Sequence, residues 1–207
     1  AEKNYMKIVE QFSGSAYLSR SLVQLGLIAK NQGDNEKALE YYKTVVNNYP
    51  GGTEASNALK SIKDIYVDMD NVDGYLSYVE DIGKGVSRSE QDSLLYTAAE
   101  NSYLAGNCEK AVTNLKNYLD RFPNGTFLLN ANYYLADCLL KLNRGNEAYE
   151  SLLYIIDQPA SMFTEPALVA ASRLAYRKKD YNQAAAIYSK LIKLGEKKSN
   201  IKEAEIG

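Results

Sequence analysis

The sequence predicts an all-α chain built as a row of repeated, antiparallel helix pairs. Three observations carry this. The block Ala38 to Pro50 aligns without a gap on the block Ala111 to Pro123, at an offset of 73 residues. The anchors Ala38, Tyr75, Ala111, Ala148 and Ala184 follow one another at 37, 36, 37 and 36 residues. No segment alternates with the period of two that a half-buried strand needs, whereas Leu18, Leu22, Leu25, Ile28 and Ala29 share one helical face. A period of this size is the mark of a stacked-repeat architecture, in which each unit buries its apolar face only against its neighbours.

Each unit reads as two helices around a short polar turn. The turns are Gly33-Asp34, Asp70-Asn71, Gly106-Asn107, Asn143-Arg144 and Lys179-Asp180. Gly or Asn supplies the left-handed residue that ends the first helix. Asp34, Asn71, Asn107 and Asp180 are placed to accept amide hydrogens at the start of the second helix. Pro50, Pro123 and Pro159 stop second helices, because proline cannot continue one. The units in order are 15–51, 52–87, 88–124, 125–160 and 161–198. Residues 1–14 read as the second helix of a truncated unit, since Tyr5, Ile8, Val9, Phe12 and Gly14 align with Tyr42, Val45, Val46, Tyr49 and Gly51. Residues 199–207 read as the start of a further first helix. Neither end resembles the polar cap that a solenoid requires, so the chain reads as one solenoid fragment of a longer array.

The chain has 207 residues, 24 Lys and Arg against 26 Asp and Glu, 18 Tyr, no His and no Trp. That length buries roughly 70% of the unfolded surface without help from a metal or disulfide. The charge balance of -2 argues against a general nucleic-acid binder, which carries a basic stripe. The lack of histidine removes His-based acid–base chemistry and His-containing metal sites. No apolar run approaches the ~18–20 residues of a membrane span. No signal-peptide pattern opens the chain, which says nothing of compartment for a fragment.

The pattern Leu22-x2-Leu25-Gly26-x2-Ala29, then Ala38-x3-Tyr42, then Pro50, is similar to the tetratricopeptide repeat (TPR) signature. Leu22 stands where that family often has Trp, and Ala29 where it often has Tyr. The third unit keeps Ala98-Ala99, Ala111, Leu115 and Pro123. The fifth keeps Ala171, Ala184 and Tyr188. The second diverges, with Tyr75 in place of a small residue and Gly83 in place of proline. Units of 36–37 residues, with Tyr-Pro-Gly-Gly or Phe-Pro-Asn-Gly after the second helix, look like the repeats of bacterial envelope proteins. They look most like the long tetratricopeptide proteins of Bacteroidetes.

The resemblance implies a right-handed α-solenoid whose first helices line a concave groove. It implies a non-catalytic scaffold for a protein or peptide partner, without cofactor or metal, and a periplasmic or outer-membrane-associated setting. In the last three units the groove positions include Tyr96, Glu100 and Tyr103, then Asn130, Tyr133 and Asp137, then Arg173, Tyr176 and Arg177. Tyrosine offers a large rigid face at little entropic cost, and the mixed charges would fix the register of an extended peptide. The competing reading is that these tyrosines fill gaps between helices, as Tyr5, Tyr42, Tyr118, Tyr154 and Tyr188 do on second helices. Capture of chaperone C-termini is excluded: the family's Lys/Asn clamp positions hold pairs such as Lys60/Asp64, Tyr96/Glu100 and Tyr133/Asp137. Two further functions remain beside partner binding, an architectural spacer or self-assembly module and a glycan-binding surface. Exposure of Tyr96, Tyr103, Tyr133 and Tyr176 separates binding from spacing.

Weaker signals have bland explanations. Cys108 and Cys138 fall on neighbouring antiparallel helices and read as two small buried apolar residues; a bond would need Cα atoms within about 7 Å. Gly83-Lys84-Gly85 lacks the upstream glycine and following Ser or Thr of a phosphate loop and reads as a linker. Asn124-Gly125-Thr126 fits an N-glycosylation acceptor, and Asp92-Ser93-Leu94 is similar to the O-glycosylation site of Bacteroidetes envelope proteins. Asp64, Asp68 and Asp70 read as helix surface, because no calcium-loop spacing follows.

Overall fold

The computed structural model describes residues 1–12 and 14–206, and these form twelve helices and no strand. They divide into two compact units, Ala1–Arg88 and Ser89–Gly207. The first holds α1 (Glu2–Gln11), α2 (Leu18–Asn31), α3 (Asn35–Asn48), α4 (Thr53–Asp68) and α5 (Val72–Asp81). The second holds α6 (Arg88–Leu104), α7 (Cys108–Arg121), α8 (Leu128–Lys141), α9 (Gly145–Asp157), α10 (Thr164–Arg177), α11 (Tyr181–Leu194) and α12 (Lys198–Ile206). This is an all-α helical repeat fold, as the period requires.

In unit one, consecutive helices pack on each other, and α2 also meets α4. Leu22, Leu25 and Ala29 of α2 bury against Ala38, Tyr42 and Val45 of α3. Gly26 is required there by space: a Cβ on it would sit 2.7 Å from Tyr42 Cε1. The buried Tyr75 that departs from the small-residue pattern meets the Tyr66 ring at 6.5 Å. Lys43 Nζ donates to Tyr66 Oη at 2.9 Å and lies 4.9 Å from the Tyr78 ring centre. Burial pushes the Tyr78 phenol up to about 12.

In unit two the small residues Ala98, Ala99, Ala111, Ala131, Ala148, Ala167, Ala171 and Ala184 are all buried. They let neighbouring helices approach while Leu115, Leu139, Ile155, Leu168 and Leu191 fill the space between. The side-chain caps form where the sequence places them. Asp34, Asn71, Asn107 and Asp180 accept from the amides of Lys37, Gly74, Lys110 and Gln183 at 3.0, 3.0, 3.2 and 3.2 Å. The fourth turn differs: Arg144 caps nothing with its side chain and instead grips Glu147 with two bonds of 2.6 and 2.7 Å. The left-handed turn residues are Gly33, Asp70, Gly106, Asn143 and Lys179, with φ of 81°, 60°, 74°, 59° and 63°. Two of the five are therefore neither Gly nor Asn. The backbone imposes the geometry even where the side chain opposes it.

The reading of Cys108 and Cys138 as separate thiols is corrected by the structure. They form a disulfide, with Cα atoms 5.0 Å apart. Cys108 is the first residue of α7 and Cys138 lies in the last turn of α8. Antiparallel packing of α7 on α8 brings those two ends together.

Two stability outcomes follow from these elements. Lys179→Gly removes the cost of a Cβ in the left-handed region and should raise unfolding free energy by about 1 kcal/mol, read by urea denaturation. Replacing both Cys108 and Cys138 by Ser opens a loop of sequence separation 30 and should lower it. The loss expected from loop entropy is about 3–4 kcal/mol, and reduced wild-type protein should match the variant.

Candidate functional site

The candidate face belongs to α6, α8 and α10, the first helices of unit two. Asp92 of α6 is buried, and its carboxylate organises the entry to α8. Tyr118 Oη of α7 donates to Asp92 Oδ1 at 2.6 Å, and the amide of Thr126 donates to Asp92 Oδ2 at 2.8 Å. The same Tyr118 oxygen accepts from the amide of Phe127 at 3.1 Å. Burial, then the Asp92 carboxylate, hold the Tyr118 phenol above the ordinary tyrosine value. In Asp92-Ser93-Leu94, Asp92 is consumed in the junction, and Ser93 lies within α6 with its hydroxyl donating to the Ser89 carbonyl at 3.1 Å.

Phe127, fixed by that junction, stacks on Tyr96 with ring centres 4.3 Å apart. Tyr96 is buried, and its hydroxyl donates to Glu100 Oε1 at 2.6 Å. Tyr134 of α8 donates to the same oxygen at 3.2 Å and stacks on Tyr103 at 4.2 Å. Tyr103 in turn donates to Asp137 Oδ2 at 2.9 Å. Lys141 Nζ reaches that oxygen at 2.6 Å and lies 5.4 Å from the Tyr103 ring centre. Tyr133 meets Tyr134 edge-on at 6.1 Å and stacks on Phe163, ahead of α10, at 4.4 Å. Rings and carboxylates therefore run from α6 through α8 to the start of α10.

Burial is the first cause that raises the Tyr96 and Tyr103 phenols above their ordinary value, and the Glu100 and Asp137 carboxylates add to it. Tyr133 is raised by burial and by Asp137, against Lys141. The hydroxyls of Tyr96 and Tyr103 are spent on internal acceptors. What this region offers a ligand is ring surface and the remaining oxygen of each carboxylate.

The nine residues singled out from sequence thus divide. Tyr96, Glu100, Tyr103, Tyr133 and Asp137 come together in one network. Tyr96 is buried, and Tyr103 and Tyr133 are half-buried. Asn130 is half-buried on α8. Arg173 of α10 faces α12, where Glu203 receives its Nε and Nη2 at 2.6 and 2.5 Å. Tyr176 is 52% exposed, edge-on to Tyr181 at 5.5 Å, and Arg177 is exposed. Sequence reasoning missed Tyr134, Phe127 and Phe163. The last two, 36 residues apart, precede α8 and α10 at the same position, which was the available signal.

A cavity of about 660 Å³ lies between α10 and the α11–α12 turn. Pro166, Val169, Ala170 and Leu194 give it an apolar lining, with Arg173 and Asn200 among its polar residues. Glu165 beside it accepts from the amides of Glu196 and Lys197 at 3.2 and 3.0 Å and from Asn200 Nδ2 at 2.9 Å. These donors, Asn200 first, hold its carboxyl below the ordinary value. Glu165 and Arg173 are thus compensated by the protein, the latter by Glu203, while Glu196 and Lys197 also line the cavity. Among the described residues no group of three or more Cys, Asp or Glu is arranged to hold a metal, and no helix is long and apolar enough to cross a membrane.

Residues 20–52 and 92–125 match the tetratricopeptide repeat family. No curated protein matches the chain. Among solved structures, the chain is similar to YrrB, described as a TPR protein with an unusual peptide-binding site, at 15% identity over 100% of both chains and a TM-score of 0.45. It is similar to pilF of Pseudomonas aeruginosa at 14% identity, over 99% of this chain and 87% of that one, with a TM-score of 0.47. A tetratricopeptide repeat protein of Parabacteroides merdae is 14% identical over 99% of this chain and 89% of that one, with a TM-score of 0.39.

The tyrosine network has a pH signature. The folded state holds the Tyr103 proton more tightly than the unfolded chain does. Its contribution is therefore complete below pH 10 and lost as pH rises beyond that. Tyr103→Phe should cost about 1 kcal/mol at pH 8, and urea titrations should show that difference shrinking steadily above pH 10.

Proposed function

We propose that this chain is a non-catalytic binding scaffold that receives a protein or peptide segment on the α6, α8 and α10 face of unit two. The observation that carries the reading is the cavity on α10. Arg173, placed by sequence on the partner face, and Val169, one helical turn before it on α10, line it, and its volume lies within the range of ligand pockets. Its apolar lining, with Glu165 and Arg173 compensated internally, suits a bulky apolar side chain. Tyr103 and Tyr133, half-exposed, would meet the flanking residues of the same segment through their rings. The match of two segments to the tetratricopeptide repeat supports a scaffold role. Caps at Asp34, Asn71, Asn107 and Asp180 support an array of 36–37-residue units. The Cys108–Cys138 bond supports maturation in an oxidising compartment, in keeping with a bacterial envelope.

Selection of short peptides from a random displayed library, followed by calorimetry, tests this. Selected peptides should carry a recurring large apolar residue. Val169→Trp, which fills the cavity, should weaken them at least about tenfold, or about 1.4 kcal/mol, while Glu147→Gln on the opposite helix layer should not. No enrichment, or equal binding by Val169→Trp, defeats the reading.

A further inference from the structure

Charge is unevenly distributed along this nearly neutral chain. Residues 173–202 hold nine Lys and Arg against two acids, Asp180 and Glu196. Residues 64–83 hold six acids and no Lys or Arg. Each segment includes a turn between two helices. The turn Asp68-Met69-Asp70 between α4 and α5 and the turn Arg177-Lys178-Lys179 between α10 and α11 share a backbone, since Asp70 and Lys179 both take the left-handed conformation, with φ of 60° and 63°. Each turn is followed by a capping residue, Asn71 or Asp180.

The basic turn is solvent-facing throughout. Residues 176–182 are all exposed, and Tyr176 and Tyr181 present ring surface at 52% and 57% exposure. Among the described residues Arg177 and Lys179 have no ion-pair partner, unlike Arg173 and Lys190, which are held by Glu203 and Asp157. The acidic turn presents Met69 at 39% exposure, beside the exposed Asp64 and Asp68. Asp68 makes one long contact of 3.7 Å to Lys30, of the kind that contributes little in water. One surface is thus an aromatic pair rimmed by cations, and the other a thioether rimmed by carboxylates. An apolar centre inside a complementary charged rim is the anatomy of a docking contact.

We propose that the α10–α11 turn of one molecule docks on the α4–α5 turn of a second copy. The contact is heterologous: each molecule carries one surface of each sign. Such a contact joins unlike surfaces and assembles copies head to tail. The occupant is a second copy because the same chain supplies both the opposite charge and the apolar residue at its centre. None of the turn residues 176–181 lines the cavity, so filling the cavity and reversing the turn charges test peptide binding and self-association independently.

Sedimentation equilibrium of the full chain tests it. At about 20 mM salt the weight-average mass should rise above that of the monomer as concentration rises. At about 1 M salt, where the screening length is about 3 Å, the protein should be monomeric. Two charge-reversed variants follow the shared backbone, each turn receiving the charge the other carries. Asp68→Lys with Asp70→Lys, and Arg177→Asp with Lys179→Asp, should each weaken association at least about tenfold. The chain with all four substitutions should recover it, with circular dichroism verifying the fold of each variant. The proposal is overturned by a wild type that stays monomeric at low salt. Association of either two-residue variant at wild-type strength, or a four-residue variant that remains monomeric, also overturns it. Binding of the wild type to vesicles of anionic phosphatidylglycerol without self-association would assign the basic turn to a membrane surface and overturn it too.

Discussion

The described face of unit two depends on one buried carboxylate. A charge removed from water is strongly unfavourable unless hydrogen bonds replace its hydration. Asp92 meets that demand with Tyr118 Oη at 2.6 Å and the amide of Thr126 at 2.8 Å. Those donors come from the last turn of α7 and from the connection to α8, so satisfying one side chain of α6 fixes three segments. Tyr118 also receives the amide of Phe127, which sets the ring that Tyr96 stacks upon. The aromatic network is therefore built outward from the junction. Gly125 fits this arrangement for a steric reason: a Cβ there would fall 2.5 Å from Tyr118 Oη and 2.9 Å from Asp92 Oδ1.

At the other end of the same helix pair, the Cys108–Cys138 bond joins the start of α7 to the last turn of α8. Glu147 adds a third tie, accepting from Lys116 of α7 at 2.8 Å and from Arg144. Arg144, then Lys116, pull its carboxyl down to about 2. The exposed tie is the weakest of the three, since water and salt screen it. The central part of unit two is consequently pinned at both ends of α7, and Asp137, which receives Tyr103, adjoins one of the pins. Positions on the candidate face are thus held by covalent and buried polar constraints rather than by apolar packing alone.

Much of the fold was legible because it obeys local rules at a fixed period. The caps at Asp34, Asn71, Asn107 and Asp180 need only the right side chain ahead of the right helix. Prolines 50, 123 and 159 need only their own ring to end a helix. Left-handed backbone at Asp70 and Lys179 was less legible, because there the repeat geometry overrides residue preference. The disulfide was not legible from spacing alone, as it depends on how α7 and α8 slide against each other. For the site, sequence placed Tyr96, Tyr103 and Tyr133 together but not their depth. Depth is set by Phe127, Tyr134 and Phe163, whose rings cover them, and a groove position defined on one helix cannot register a ring arriving from the next.

The choice between packing and binding for these tyrosines is consequently not a choice between two classes of residue. Tyr96, with its ring covered and its hydroxyl committed to Glu100, is part of the core. Tyr103 and Tyr133 stack on one neighbour while part of each ring meets solvent, so each is rigid before any ligand arrives. A side chain already immobilised loses little rotamer freedom on binding, and that loss commonly costs about 0.5–1.5 kcal/mol per side chain. Tyr176 has only an edge contact with Tyr181 and keeps more of its freedom. Stacking thus prepares the first pair for recognition by shape, whereas the exposed pair on the α10–α11 turn is suited to a contact guided by surrounding charge. The same residue type serves three physical roles within one unit, and its ring neighbours decide which.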